Sequence, residues 1–262
     1  MATRIDPRAA AFAGALLAAV LVVTVPLTVF AAEIRVLAAG ALSSPLKELV
    51  PRFEQETRNK VTIAYANAGT LSSMLEKEEA ADVVLMPADG LADAEARGWV
   101  QAGSRTELAA VAIGVAIRNG AAPPDLSTPD GLKRALLAAK AVAYSDPARA
   151  SSGKHFDTVV LPALGIASEV RAKAKLQTEG SAAEFVRRGE ADIAVQQVSE
   201  LLPVEGVTVV GLLPASLQKV TVYGAAIGAR AAAKDPAREL IAFLASPASK
   251  SVFKAKGLDA TR

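Results

Sequence analysis

The sequence predicts an α/β chain built as two similar lobes. Short apolar runs alternate with stretches whose apolar residues recur at helical spacing, the pattern of strands separated by helices. Small, polar turns join the two. Two such blocks flank an apolar run at 111–117, with no disordered linker between them. Helices between apolar strands imply a parallel sheet covered on both faces. Ligands of such sheets bind beyond the carboxyl ends of the strands.

The elements follow in order. Ile34 to Ala38 reads as a buried strand. The turn Gly40-Ala41-Leu42-Ser43-Ser44-Pro45 leads into a helix carrying Leu46, Leu49, Val50 and Phe53 on one face, with Ser43 or Ser44 as its cap. Val61 to Tyr65 is a second strand. After it comes the turn Asn67-Ala68-Gly69-Thr70, with Thr70 capping a helix that carries Leu71, Met74 and Leu75. Asp82 to Met86 is a third strand, and the next helix stops at Gly98. Val111 to Ile117 reads as one strand, followed by the Pro-rich 121–124 and a helix opened by Thr128-Pro129. Ala141 to Tyr144 is a strand, and the polar turn 145–153 precedes a helix ending near Gly165. Strands at 175–178, 192–196, 207–210 and 221–228, a helix capped by Ser181, and two C-terminal helices complete the pattern.

The chain holds 262 residues, of which 52% are hydrophobic, ample for a large core. Lys and Arg number 29 against 27 Asp and Glu, and aromatics are 4%. A nucleic-acid surface would need clustered basic excess with aromatics. With no cysteine there is no disulfide, thiolate nucleophile or lipid-anchored Cys. One histidine, His155, makes neither a zinc site nor an acyl-transfer triad with Ser152, three residues away. No P-loop, dinucleotide glycine pattern or Gly-x-Ser-x-Gly elbow occurs. No catalytic residue, metal or cofactor is expected.

Residues 1–32 read as a secretory signal peptide. Arg4 and Arg8 form the positive start, an apolar stretch runs from Ala9 to Phe30, and small residues close it before Glu33. Cleavage after Ala31 or Ala32 is equally compatible with that pattern. An uncleaved anchor is the alternative, since about 20 apolar residues span a bilayer. Cleavage implies a periplasmic location.

A set of motifs then occurs in order: Val36-Leu37-Ala38-Ala39-Gly40-Ala41-Leu42, Ala66-Asn67-Ala68-Gly69-Thr70-Leu71, Ala81-Asp82-Val83-Val84, Ser145-Asp146-Pro147 with Ser152-Gly153, and Gly189-Glu190-Ala191-Asp192-Ile193. Through them the chain resembles the periplasmic molybdate-binding proteins and the wider type II solute-binding proteins of ABC transporters, as a divergent member. The resemblance covers nearly the whole chain after residue 32. It implies the periplasmic binding protein type II fold, two Rossmann-like lobes with a hinge of two crossing strands, and a ligand closed in the cleft. It also implies a partner permease with its ATPase. The corresponding lobes are 33–112 plus 221–262, and 113–220, in a monomer.

The resemblance places ligand contacts at Ala41, Ala68, Ser152, Glu179 and Gln196. The family has serine hydroxyls at the first two positions and a tyrosine at the last. Ser43, Ser44, Asn67 or Thr70 could supply replacement hydroxyls or amides, Gly69 is a further contact expected in its turn, and backbone N–H groups at 41–44 and 69–71 would remain. A helix N-terminus favours an anion. Arg149 adds charge beside Ser152, and Gln197 and Glu200 follow Gln196 at a strand end. Tyr65, Tyr144 and Tyr223 lie at or near strand ends and read as rim packing. The expected function is binding of a small anion or polar solute in the interlobe cleft. An exported sensory module and a periplasmic enzyme are the alternatives.

Overall fold

The computed structural model describes residues 31–259. The expected signal peptide, but for Ala31 and Ala32, lies outside the described residues. In the first lobe, β1 (Glu33–Ala39), β2 (Lys60–Ala66), β3 (Val83–Pro87), β4 (Thr106–Val111) and β10 (Thr221–Ile227) form one sheet in the order β2-β1-β3-β10-β4. In the second, β5 (Ile113–Arg118), β6 (Val142–Ser145), β7 (Ala174–Gln177), β8 (Ile193–Gln197) and β9 (Val207–Leu212) form another in the order β7-β6-β8-β5-β9.

Neither sheet is purely parallel, as the helical crossovers had suggested. β1, β2 and β3 run parallel, as do β6, β7 and β8. β10 runs antiparallel to β3 and β4, and β5 antiparallel to β8 and β9. The reversed strands are the ones that enter a sheet from the other lobe. A strand arriving by a crossing has no crossover helix to return it to parallel.

The expected single strand at 111–117 holds β5 up to Ile117 and only the last residue of β4, whose remainder, 106–110, was not expected as a strand. It breaks at Ala112, where β4 leaves one sheet and β5 enters the other. The return passage runs from Leu213 to Val220. Gln218 joins the two crossings: its Oε1 accepts the N–H of Ile113 at 2.9 Å and its Nε2 donates to the Ile113 carbonyl at 2.9 Å.

Helices cover both sheets. The first lobe carries α1 (Ser43–Thr57), α2 (Ala68–Glu76), α3 (Ala88–Ala96), α10 (Lys234–Ala245) and α11 (Pro247–Ala255). The second carries α4 (Pro129–Ala138), α5 (Ser151–His155), α6 (Leu161–Leu164), α7 (Ala167–Arg171), α8 (Ala183–Arg188) and α9 (Val198–Leu201). One apolar core runs through the first sheet, from Ile34 to Leu258. Around the second sheet, two clusters sit on its two faces, one holding Val115 and Tyr144, the other Ala116 and Ala143. Neighbouring strand residues point to opposite faces, so a doubly covered strand must be apolar at every position. β3, buried throughout, meets that demand.

The helix starts differ from expectation in two places. A 3-10 turn, Gly40–Leu42, precedes α1, so Ser43 and Ser44 fall inside the first helical turn and no side chain caps it. For α2 the cap is Asn67, whose Oδ1 accepts the N–H of Thr70 at 2.9 Å. Thr70 therefore receives the cap instead of supplying it. Thr128 does cap α4, accepting from Gly131 N at 3.1 Å. No described helix is long and apolar enough to cross a membrane.

Candidate functional site

The carboxyl ends of β1, β2, β6, β7 and β8 face one another across the gap between the lobes. There they enclose a chamber of about 460 Å³. Gly40, Ser43, Lys47, Tyr65 and Asn67 line it from the first lobe; Ser145, the 177–181 turn, Gln196, Ser199 and Glu200 line it from the second. A recess of about 30 Å³ adjoins it, walled by Ala41, Ala68, Ser152, Gln197 and Tyr223. Gly40, Asn67, Ala150 and Glu200 border both spaces.

The structure distributes the expected ligand residues among three places. Ala41, Ala68 and Ser152 meet at the small recess, although they come from three separate turns. Ser43, Glu179 and Gln196 face the large chamber, and Asn67 faces both. Ser44, Gly69 and Thr70 line neither space. The second turn also fails to offer its backbone donors. Gly69 N donates to the Arg149 carbonyl at 3.4 Å, Thr70 N to Asn67 Oδ1, and Leu71 N to the Asn67 carbonyl at 3.0 Å. The expectation of free N–H groups at 69–71 is thus corrected. Asn67 claims two of them by capping α2, and the Arg149 carbonyl of the second lobe claims the third.

Gln196 is engaged within its own lobe. Its buried amide accepts from Ala182 N at 2.6 Å and donates to the Gly180 carbonyl at 3.0 Å, so it holds the 180–182 turn in place. Beside Tyr65 of the chamber, the cleft has a second tyrosine, Tyr223 on β10. Its hydroxyl donates to Gln197 Oε1 at 2.7 Å across the lobes, buried behind the recess. Burial raises the Tyr223 pKa, and Glu200 adds to the rise. Arg149 is half exposed and sits 3.8 Å from Asp146. His155 Nε2 lies 2.9 Å from the Leu217 carbonyl, a structural contact. Tyr144 bonds Asp157 at 3.0 Å, within the second lobe.

Glu200 lies in the single turn of α9 and reaches from the second lobe over the Gly40 turn of the first. A Cβ built on Gly40 would stand 3.6 Å from its Oε1. Desolvation pushes its pKa up to about 8, opposed only by a hydrogen bond with Gln196. The Ser145 and Ser199 hydroxyls, buried in the same wall, have no hydrogen-bond partner among the described residues. Neither serine was singled out as a ligand contact from the sequence. Their β-strand-end and helix-start positions carry a signal, but a serine there is equally a turn residue. Among the described residues, no cluster of three His, Cys, Asp or Glu could hold a metal.

Several known proteins share this architecture. The model of the bacterial extracellular solute-binding protein family matches residues 34–259. An aconitate isomerase from a Pseudomonas species is 35% identical over 228 residues, covering 85% of this chain and 86% of that one. The periplasmic molybdate-binding protein of Azotobacter vinelandii superposes with a TM-score of 0.74 at 20% identity, over 87% of this chain and all of that one. A sulfate-binding protein from Mycobacterium tuberculosis gives 0.70 at 15% identity, over 86% of each. A match that spans both lobes, joined to the two-sheet architecture and its interlobe cleft, settles the affiliation: this chain belongs to the bacterial extracellular solute-binding protein family.

Proposed function

We propose that the protein is an exported receptor that closes its lobes on a small organic polyanion of the tricarboxylic acid class and presents it to the permease and ATPase of an ABC uptake transporter. The observation that carries this reading is the chamber. Its volume of about 460 Å³ falls within the range typical of organic ligands, roughly 300–1,000 Å³. The recess beside it, at about 30 Å³, has room for little more than water. Ala41 and Ala68 bring no side-chain donor to that recess, leaving Ser152 as a hydroxyl-bearing neighbour, and the N–H groups at 69–71 are already bonded. The chamber instead offers amides, hydroxyls and the Lys47 ammonium, groups suited to carboxylates and hydroxyls, beside the carboxyl groups of Glu179, Glu184 and Glu200. A relative whose name specifies aconitate supports the same ligand class.

A second reading, isomerisation of that ligand, is favoured by Glu200 and by the same relative. Interconverting the aconitate isomers through loss and return of a methylene proton needs one group able to take and release it. A carboxyl with pKa about 8 is matched to that task near neutrality. Calorimetry and thermal shift on residues 33–262 test both readings with cis-aconitate, trans-aconitate, citrate, molybdate and sulfate. A tricarboxylate should bind and raise Tm by mass action. Molybdate should bind about 100-fold or more weaker, since two lost charge-assisted bonds are together worth about 3–6 kcal/mol. Sub-micromolar molybdate affinity with no response to the acids would overturn the ligand assignment. Incubation with cis-aconitate then separates the readings: accumulation of the trans isomer makes the protein an enzyme, and binding without turnover makes it a receptor.

A further inference from the structure

We propose that Glu200 serves the cleft as a neutral carboxylic acid, donating its O–H to a carboxylate of the bound ligand, so that ligand binding and protonation of this side chain are coupled. The inference rests on the carboxylate reading of the chamber and adds the group that recognises it.

Three observations place Glu200 there. It borders both the chamber and the recess, so a ligand reaching from one towards the other passes its carboxyl. It lies over Gly40 of the first lobe, where a Cβ would make only ordinary van der Waals contact with its Oε1, at 3.6 Å. It has no ion pair among those of the described residues, although fifteen other such pairs form on this protein. A half-buried carboxylate with no ion pair and only Gln196 donating to it loses more hydration than it recovers, and a proton removes the charge.

The charges around it reinforce the argument. Lys47 on α1 is the one cation that lines the chamber, while Glu179 and Glu184 bring two carboxylates to the same wall. Tyr223 on β10 faces Glu200 and is itself held neutral by burial, with Asp89 adding to its pKa rise. Tyr65, whose pKa burial also raises, closes the chamber as a neutral phenol. Ionised, Glu200 would oppose a polyanion. Protonated, it becomes a donor beside the unpartnered hydroxyls of Ser145 and Ser199. A bound anion would hold the proton more tightly still.

The sign of the linkage follows. Only the protonated form donates, so affinity is full below the free-protein pKa of about 8 and falls above it. The slope is about one decade of affinity per pH unit for one linked proton. Stability without ligand moves too. The folded chain keeps the proton above the unfolded carboxylate pKa, so stability drops as pH rises between the two values and then levels off.

The experiment compares wild type with Glu200→Gln, whose neutral amide keeps the shape and a donor. Calorimetric titration with cis-aconitate, trans-aconitate and citrate from pH 6 to 9.5, with melting curves of the free proteins over pH 5 to 9.5, gives the readouts. Wild-type affinity should fall about tenfold per unit above pH 8, with proton uptake visible in buffers of differing ionisation heat. Glu200→Gln should bind within about tenfold of the low-pH wild type with no such fall. Its melting temperature should gain on that of wild type up to about pH 8. A fall shared by both proteins would overturn the proposal, as would loss of binding in a Glu200→Gln variant that melts normally. Absence of binding by either protein at every pH would overturn the carboxylate reading and the donated bond together. Binding of equal strength at every pH in wild type would overturn the donated bond alone.

Discussion

The Asp82 carboxylate accepts three backbone N–H groups: Arg35 at 2.8 Å, Ala232 at 2.7 Å and Ala233 at 3.0 Å. It is buried beside β3, and its own backbone bonds Arg35 and Gly228. One side chain thus ties the start of β1 to the loop after β10. This explains why a polar residue opens an otherwise apolar strand, and it gives the Ala81-Asp82 motif a structural meaning. Replacing Asp82 by Ala leaves those donors unpaired, each at about 1–3 kcal/mol before water compensates. We expect Asp82→Ala to lose about 2–5 kcal/mol in denaturant unfolding. A loss below about 1 kcal/mol would show that the three bonds are not what holds this corner. Asn67 is the counterpart in the cleft. Its Oδ1 caps α2, and its Nδ2 reaches the Thr178 carbonyl at 3.5 Å in the other lobe.

At the scale of elements, α5 is set against β6 by a backbone approach that only glycine permits. A Cβ on Gly153 would fall 2.0 Å from the Ser145 carbonyl oxygen. Both Ser145 and the Ser151-Ser152 turn that opens α5 line the site. Gly153→Ala must push α5 off the strand, at a cost of about 1–3 kcal/mol. We expect a lower melting temperature together with weaker ligand binding, because the same displacement moves the recess wall. Unchanged affinity in a destabilised variant would mean that α5 positions nothing the ligand touches. The capping errors at α1 and α2 belong to this scale as well. Ser43, Ser44, Asn67 and Thr70 are all good caps by residue type. Which of them caps depends on whether a 3-10 turn intervenes, as it does at Gly40–Leu42.

For the whole molecule, the lobes are bridged at the cleft by Asn67 to Thr178, Gly69 to Arg149 and Tyr223 to Gln197. They are joined behind it by Ala112 and by Gln218 on Ile113. Val198 of α9 also packs against the first-lobe core, and with two thin chain crossings between the lobes we expect them to close on the ligand by a hinge motion. Solution scattering should therefore give a smaller radius of gyration with saturating ligand than without it. Equal radii in both states would contradict closure on the ligand.

The strand positions other than β4, the C-terminal helices and the two α/β blocks were legible in the sequence because apolar periodicity and turn chemistry are local properties. So were the turns of the cleft, since ligand sites follow the carboxyl ends of strands. The meeting of Ala41, Ala68 and Ser152 came from the family resemblance, and the structure does bring them together. Only the tertiary structure decided the rest. Gln196 and Gln197 are adjacent in sequence, yet alternation sends one amide to the 180–182 turn and the other to Tyr223. The break at Ala112 is invisible in an unbroken apolar run, because the strands on either side bury their residues equally well in different sheets. The proton affinity of Glu200 is set by neither its type nor its neighbours in sequence. It arises where a turn of one lobe closes over a helix start of the other, and desolvation there depends on the fold as a whole.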